Sequence, residues 1–95
     1  MLASHNKNDM VMLDRVQLEQ MGFNPPEGPC LANGRWLRFF IFRERPWLGV
    51  EEYLPLGSTT EDAADTEIYA VNYGTHKMEA IRTLDDIKFF LHRNY

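Results

Sequence analysis

Apolar residues recur along this chain in two rhythms, and the places where the rhythm changes mark the elements. Between Asp9 and Gly22, Met10, Leu13, Val16 and Met21 share one broad helical face, with Val11, Met12 and Leu18 outside it. Asp9 as N-cap and Gly22 just past the C-cap predict a helix over Met10–Met21. Phe23 to Asn33 then loses all periodicity. Pro25, Pro26 and Pro29 lack a backbone donor and Gly28 adds flexibility, so the stretch is expected as an ordered surface loop. Asn33-Gly34 closes it with a strong turn signal.

Arg35–Arg43 is the clearest strand. Alternation places Trp36, Arg38, Phe40 and Phe42 on one face and Arg35, Leu37, Phe39, Ile41 and Arg43 on the other. Apolar residues on both faces predict a strand covered on two sides. After Pro46, Trp47–Leu54 reads as its antiparallel neighbour, ended by Pro55. Leu56 to Asp65 reads as a loop, and Thr66–Tyr73 as a third strand. A turn at Gly74 leads into a weaker return strand over Thr75–Arg82. Thr83 with Asp86 three residues later forms a capping box, followed by an inward stripe of Leu84, Ile87 and Leu91 with Phe90 at its edge. The expected fold is α+β: a four-stranded, mainly antiparallel sheet with N-terminal and C-terminal helices, in the order α-β-β-β-β-α. Residues 1–8 hold nothing that would anchor a core and read as a disordered tail, ahead of a single α+β domain over residues 9–95.

Charge sharpens this picture more than composition does. The net charge of −4 averages over two opposed segments. Arg35, Arg38, Arg43 and Arg45 against Glu44 give residues 35–45 a net +3. Residues 51–67 carry six acids and no base: Glu51, Glu52, Glu61, Asp62, Asp65 and Glu67. The arginines are interleaved with Trp36, Phe39, Phe40, Phe42 and Trp47, a mixture that binds carboxylates, phosphates or aromatic planes. On a strand it also suits stacking against single-stranded nucleic acid. Pairing of the arginines with Glu51 and Glu52 on the neighbouring strand is the structural alternative. Phe89 lies about 160° around the last helix from the Leu84–Ile87–Leu91 stripe, at 100° per residue, so either the helix is covered on two sides or Phe89 meets a partner subunit.

No set of residues points to catalysis. His5, His76 and His92 are scattered and lack metal-ligand spacing. Asp62, Asp65 and Glu67 lack the glycine and the alternation of a calcium loop. Cys30 sits among prolines with no local base and reads as a passive, half-buried thiol. No catalytic, cofactor-binding or metal-ligating residue is therefore assigned. One cysteine excludes an internal disulfide framework, no apolar stretch is long enough to cross a bilayer, and the polar start is unlike a signal peptide. The sequence thus predicts a small cytoplasmic, non-enzymatic module that binds another protein or itself. Arg35, Arg38, Arg43, Arg45, Trp47 and Phe89 are its expected contact residues, and self-association would run through the C-terminal helix. Nucleic-acid binding through residues 35–47 ranks lower because the chain as a whole is acidic. A small-molecule or enzyme pocket near the proline loop 24–30, beside Cys30 and Tyr53, is the remaining alternative.

Overall fold

The computed structural model describes residues 13–26, 28–55 and 66–94. Helix α1 (Arg15–Gln20) is followed by strands β1 (Cys30–Ala32), β2 (Arg35–Ile41), β3 (Leu48–Tyr53), β4 (Glu67–Asn72) and β5 (Lys77–Ile81), then helix α2 (Leu84–Arg93). The sheet is a meander in the order β1-β2-β3-β4-β5, antiparallel at every step. The α+β class and the two flanking helices are those expected, but the sheet has five strands rather than four.

The additional strand is made by the Asn33-Gly34 turn. Both residues have positive φ, 53° and 78°, as a two-residue hairpin matched to strand twist requires. The turn folds Cys30–Ala32 back on β2, pairing Ala32 with Arg35 and Cys30 with Leu37. Farther along the same edge of β2, Phe23 bridges Phe42, with Asn24 N–H donating to Ile41 and Arg43 N–H to Gly22, both at 2.9 Å. The chain therefore follows the outer edge of β2 at both ends of the strand. Pro25, Pro26 and Pro29 fill the interval between the two pairings, where they cannot donate to a ladder.

Helix α1 starts later than its hydrophobic rhythm implies. Leu13 N–H donates to Arg82 C=O at 3.1 Å, which holds the chain beside the far end of β5, and Asp14 is still extended. Asp14 is the N-cap: its carboxylate accepts from Gln17 N–H at 2.9 Å while Gln17 Oε1 accepts from Asp14 N–H at 3.0 Å. Asp9, Met10 and the expected 1–8 tail lie outside the described residues. The helix ends as expected at Gly22, whose φ of 105° lets Phe23 N–H return to Leu18 C=O at 3.0 Å and Gly22 N–H to Glu19 C=O at 3.1 Å. This is a Schellman closure, with the Phe23 and Leu18 side chains both in the core. At α2 the predicted box is present. Asp86 Oδ2 accepts from Arg82 N–H at 2.8 Å and from Thr83 N–H at 3.1 Å, bonds that hold its carboxyl below the usual range.

Both helices pack on one face of the sheet. Leu13, Leu18, Phe23, Ile87 and Phe90 meet Phe40, Phe42, Leu48, Val50, Ala70 and Ile81 there. Cross-strand register assigns Leu37, Phe39 and Ile41 of β2, Gly49, Glu51 and Tyr53 of β3, and Glu67, Tyr69 and Val71 of β4 to the opposite face. Apolar residues do occupy both faces of β2, as the alternation predicted, yet the helix core covers only one. No helix among the described residues is long and apolar enough to cross a membrane.

Gly49 is tightly enclosed on the second face. A Cβ there would stand 2.9 Å from the Phe40 carbonyl oxygen and 2.9 Å from Cε2 of the Tyr73 ring. The absent side chain is what lets Tyr73 lie across β3. Gly49→Ala is expected to destabilise the fold by about 1–3 kcal/mol, by overpacking against backbone that cannot yield. Urea denaturation of the variant gives the value directly; an unchanged midpoint would show that the ring moves aside freely.

Candidate functional site

The six contact residues expected from sequence do not converge. Arg38 lies on the helix face, 1 % exposed, with Nη1 2.9 Å from Glu52 Oε1 on β3. Arg35 lies on the opposite face. Arg43 and Arg45 belong to the β2–β3 connection, where the Arg45 guanidinium stands 5.7 Å from the centre of the Trp47 ring. Phe89 is 64 % exposed on the outer side of α2, near Asp85, Lys88 and His92. Only Arg43, Arg45 and Trp47 are neighbours. The expected pairing of arginine with Glu52 is present, whereas Glu51 bonds to tyrosines instead.

Those tyrosines form a hydrogen-bonded side-chain cluster with Glu51 and Glu67. On β3, Tyr53 Oη donates to Glu51 Oε1 at 2.6 Å; on β4, Tyr69 Oη donates to Glu67 Oε1 at 2.9 Å. Each pair is Glu-x-Tyr, the spacing that puts two side chains on one face of a strand. The strands run antiparallel with Glu51 opposite Tyr69 and Tyr53 opposite Glu67. Acid and phenol therefore alternate in a checkerboard, and the Tyr53 and Tyr69 rings meet edge to face at 5.5 Å. Tyr73, lying over Gly49, donates to the second oxygen of Glu51 at 2.9 Å. Arg35 closes the other end. Its guanidinium lies 5.3 Å from the centre of the Tyr53 ring, reaches Glu67 Oε2 at 2.9 Å, and donates through Nε to Leu54 C=O at 3.2 Å.

The electrostatics of this cluster suit hydrogen-bond donors rather than nucleophiles. The bond to Glu51, with burial second, pushes the Tyr53 phenol up to about 12. Burial and then the Glu51 bond raise Tyr73, and the Glu67 bond raises Tyr69. The bonds from Arg35 and Tyr69 hold the Glu67 carboxyl below the usual range. All three phenols thus stay protonated at neutral pH. A cleft of about 280 Å3 opens beside the cluster, lined by Arg35, Leu37, Phe39, Glu51 and Tyr53 with the Ala32–Asn33 end of the β1–β2 hairpin.

Other expected chemistry is dispersed. Among the described residues, no three His, Cys, Asp or Glu side chains gather closely enough to hold a metal ion. Cys30 is exposed rather than half-buried, its Sγ 4.0 Å from Gly28 C=O, because the short β1 strand is at the sheet margin. Glu61, Asp62, Asp65 and His5 lie outside the described residues. Compared with known proteins, the chain matches no family model, no curated protein sequence and no solved structure.

Two outcomes are expected from this geometry. Arg38→Ala removes the cation facing Glu52 inside the fold and should cost about 3 kcal/mol by chemical denaturation, marking Arg38 as a framework residue. Ultraviolet titration should find one phenol ionising near about 12, absent in Tyr53→Phe. A raised folded-state value stabilises below the unfolded value of about 10 and loses that contribution as pH climbs through the folded one. The wild type should therefore lose more stability than Tyr53→Phe between about pH 10 and about pH 12.

Proposed function

We propose that this protein is a non-enzymatic binding module that engages another protein through the tyrosine-bearing face of its sheet. The observation that carries this reading is the anchoring of Tyr53 and Tyr73 on Glu51 and of Tyr69 and Arg35 on Glu67, on the face away from both helices. Tyrosine and arginine supply a large share of binding energy at protein interfaces. Side chains already fixed before contact lose little further freedom on binding, so more of the contact energy survives as affinity. The raised phenols support the non-enzymatic part of the proposal. The cytoplasm as its setting belongs to the same proposal, supported by the free, exposed thiol of Cys30.

Nucleic-acid binding ranks below this reading. Arg35 and Arg38 lie on opposite faces, each directed to a carboxylate, and Glu51 and Glu67 stand among the rings where phosphates would have to run. Self-association through Phe89 involves a different surface, which makes the two separable. With the immobilised full-length chain and native cell extract, Tyr69→Ser should weaken capture of an identified partner about tenfold or more, while Phe89→Asp leaves it intact. Circular dichroism verifies that both variants are folded. Capture lost with Phe89→Asp and kept with Tyr69→Ser would transfer the binding surface to α2 and overturn the proposal.

A further inference from the structure

The Glu51 carboxylate is unusual in its company. The residue is 8 % exposed, and a buried charge is costly unless something of opposite sign answers it. Its partners are the phenols of Tyr53 and Tyr73. The arginines of the adjacent strand turn elsewhere, Arg38 to Glu52 and Arg35 to Glu67. Among the described residues, no cation stands within ion-pair distance of Glu51.

Four aromatic residues neighbour Glu51 on its face of the sheet. Phe39 of β2 and Tyr69 of β4 are its direct cross-strand neighbours, close enough for side-chain contact. Tyr53 lies two residues along the same face, and Tyr73 covers the opposite direction because Gly49 leaves room for its ring. Each carboxylate oxygen accepts one phenol and keeps lone-pair capacity for another donor. Ring faces attract cations, most strongly where water is displaced. The adjoining cleft of about 280 Å3 is lined by Arg35, Leu37, Phe39, Glu51 and Tyr53, and the Arg35 guanidinium in it is held to Glu67 and to Leu54 C=O.

We infer that the Glu51 box receives the cationic head of a basic side chain, an ammonium or a guanidinium, presented by the protein partner. The inference rests on the binding-module reading and gives that partner a chemistry: a protruding lysine or arginine on a surface complementary to the acidic character of Glu51 and Glu67. The cation completes the charge that the phenols only share. The rings of Phe39 and Tyr53 border the head.

The test titrates the full-length protein, followed by amide and aromatic NMR, with n-butylammonium, n-butylguanidinium and, as the anionic control, butyrate. At least one of the two cations should give saturable shifts centred on Phe39, Glu51, Tyr53 and Tyr69, with a dissociation constant of about millimolar for so small a probe. Whichever binds more tightly identifies the partner's residue as lysine or arginine. Glu51→Gln, which keeps the shape and an acceptor for one phenol, should weaken binding at least tenfold. Phe39→Leu, which keeps the bulk and removes the ring, should weaken it several-fold and decides the matter if Glu51→Gln does not fold. Absence of saturation with both cations, equal response to butyrate, or unchanged binding in a folded Glu51→Gln would overturn the inference. Partner capture that depends on Tyr69 while neither cation binds would reject the box and leave the binding-module reading standing. Cation binding without Tyr69-dependent capture would do the reverse.

Discussion

β2 has large apolar side chains on both of its faces, and α1 and α2 cover only one. The rest of the architecture answers that imbalance. Phe40 and Phe42 enter the helix-covered core with Leu48 and Val50. On the other side, Leu37 is buried and Phe39 and Ile41 are half-buried beside side chains of β3 and β4 that are neither fully apolar nor fully polar. Tyrosine suits this position because its ring covers an apolar neighbour while its hydroxyl finds a partner. The glutamates supply those partners, and Arg35 balances the outer one. The polar groups of this face are thus the means by which an apolar strand is covered without a second layer of helices.

The same logic explains what became of the charge segregation along the chain. A basic strand followed by an acidic one reads in one dimension as two patches. Antiparallel pairing brings Arg38 opposite Glu52, and the reach of Arg35 across the Tyr53 ring joins it to Glu67. Much of the contrast is spent inside the sheet as cross-strand pairs.

Local signals suffice for three features of the fold. Thr83 and Asp86 mark the start of α2, Gly22 marks the end of α1, and the alternation in residues 35–54 marks β2 and β3, because caps and periodicity act over a few residues. Non-local bonds caused the misreadings. Leu13 shares the helical rhythm but precedes the Asp14 N-cap, and its N–H donates to Arg82, near the opposite end of the chain. Cys30–Ala32 is too short to show alternation, and its pairing follows from the turn geometry of Asn33-Gly34 rather than from its own composition. The tyrosine-bearing face is the most instructive case. Its signature, Glu-x-Tyr in two successive strands, is visible in the chain as Glu51-x-Tyr53 and Glu67-x-Tyr69. Its meaning depends on the register that sets Glu51 opposite Tyr69, and β3 and β4 are joined by a long connection rather than a tight turn that would impose a register.

The two margins of the sheet are chemically unequal. Along β2 the outer edge is occupied at one end by Phe23 and at the other by β1, with prolines spaced between. A foreign strand approaching there meets a chain whose donors are missing at Pro25, Pro26 and Pro29, so no continuous ladder can propagate from that side. Stacking of copies edge to edge, the route by which small sheets grow into fibrils, is therefore blocked in one direction by the backbone itself, independently of concentration or salt.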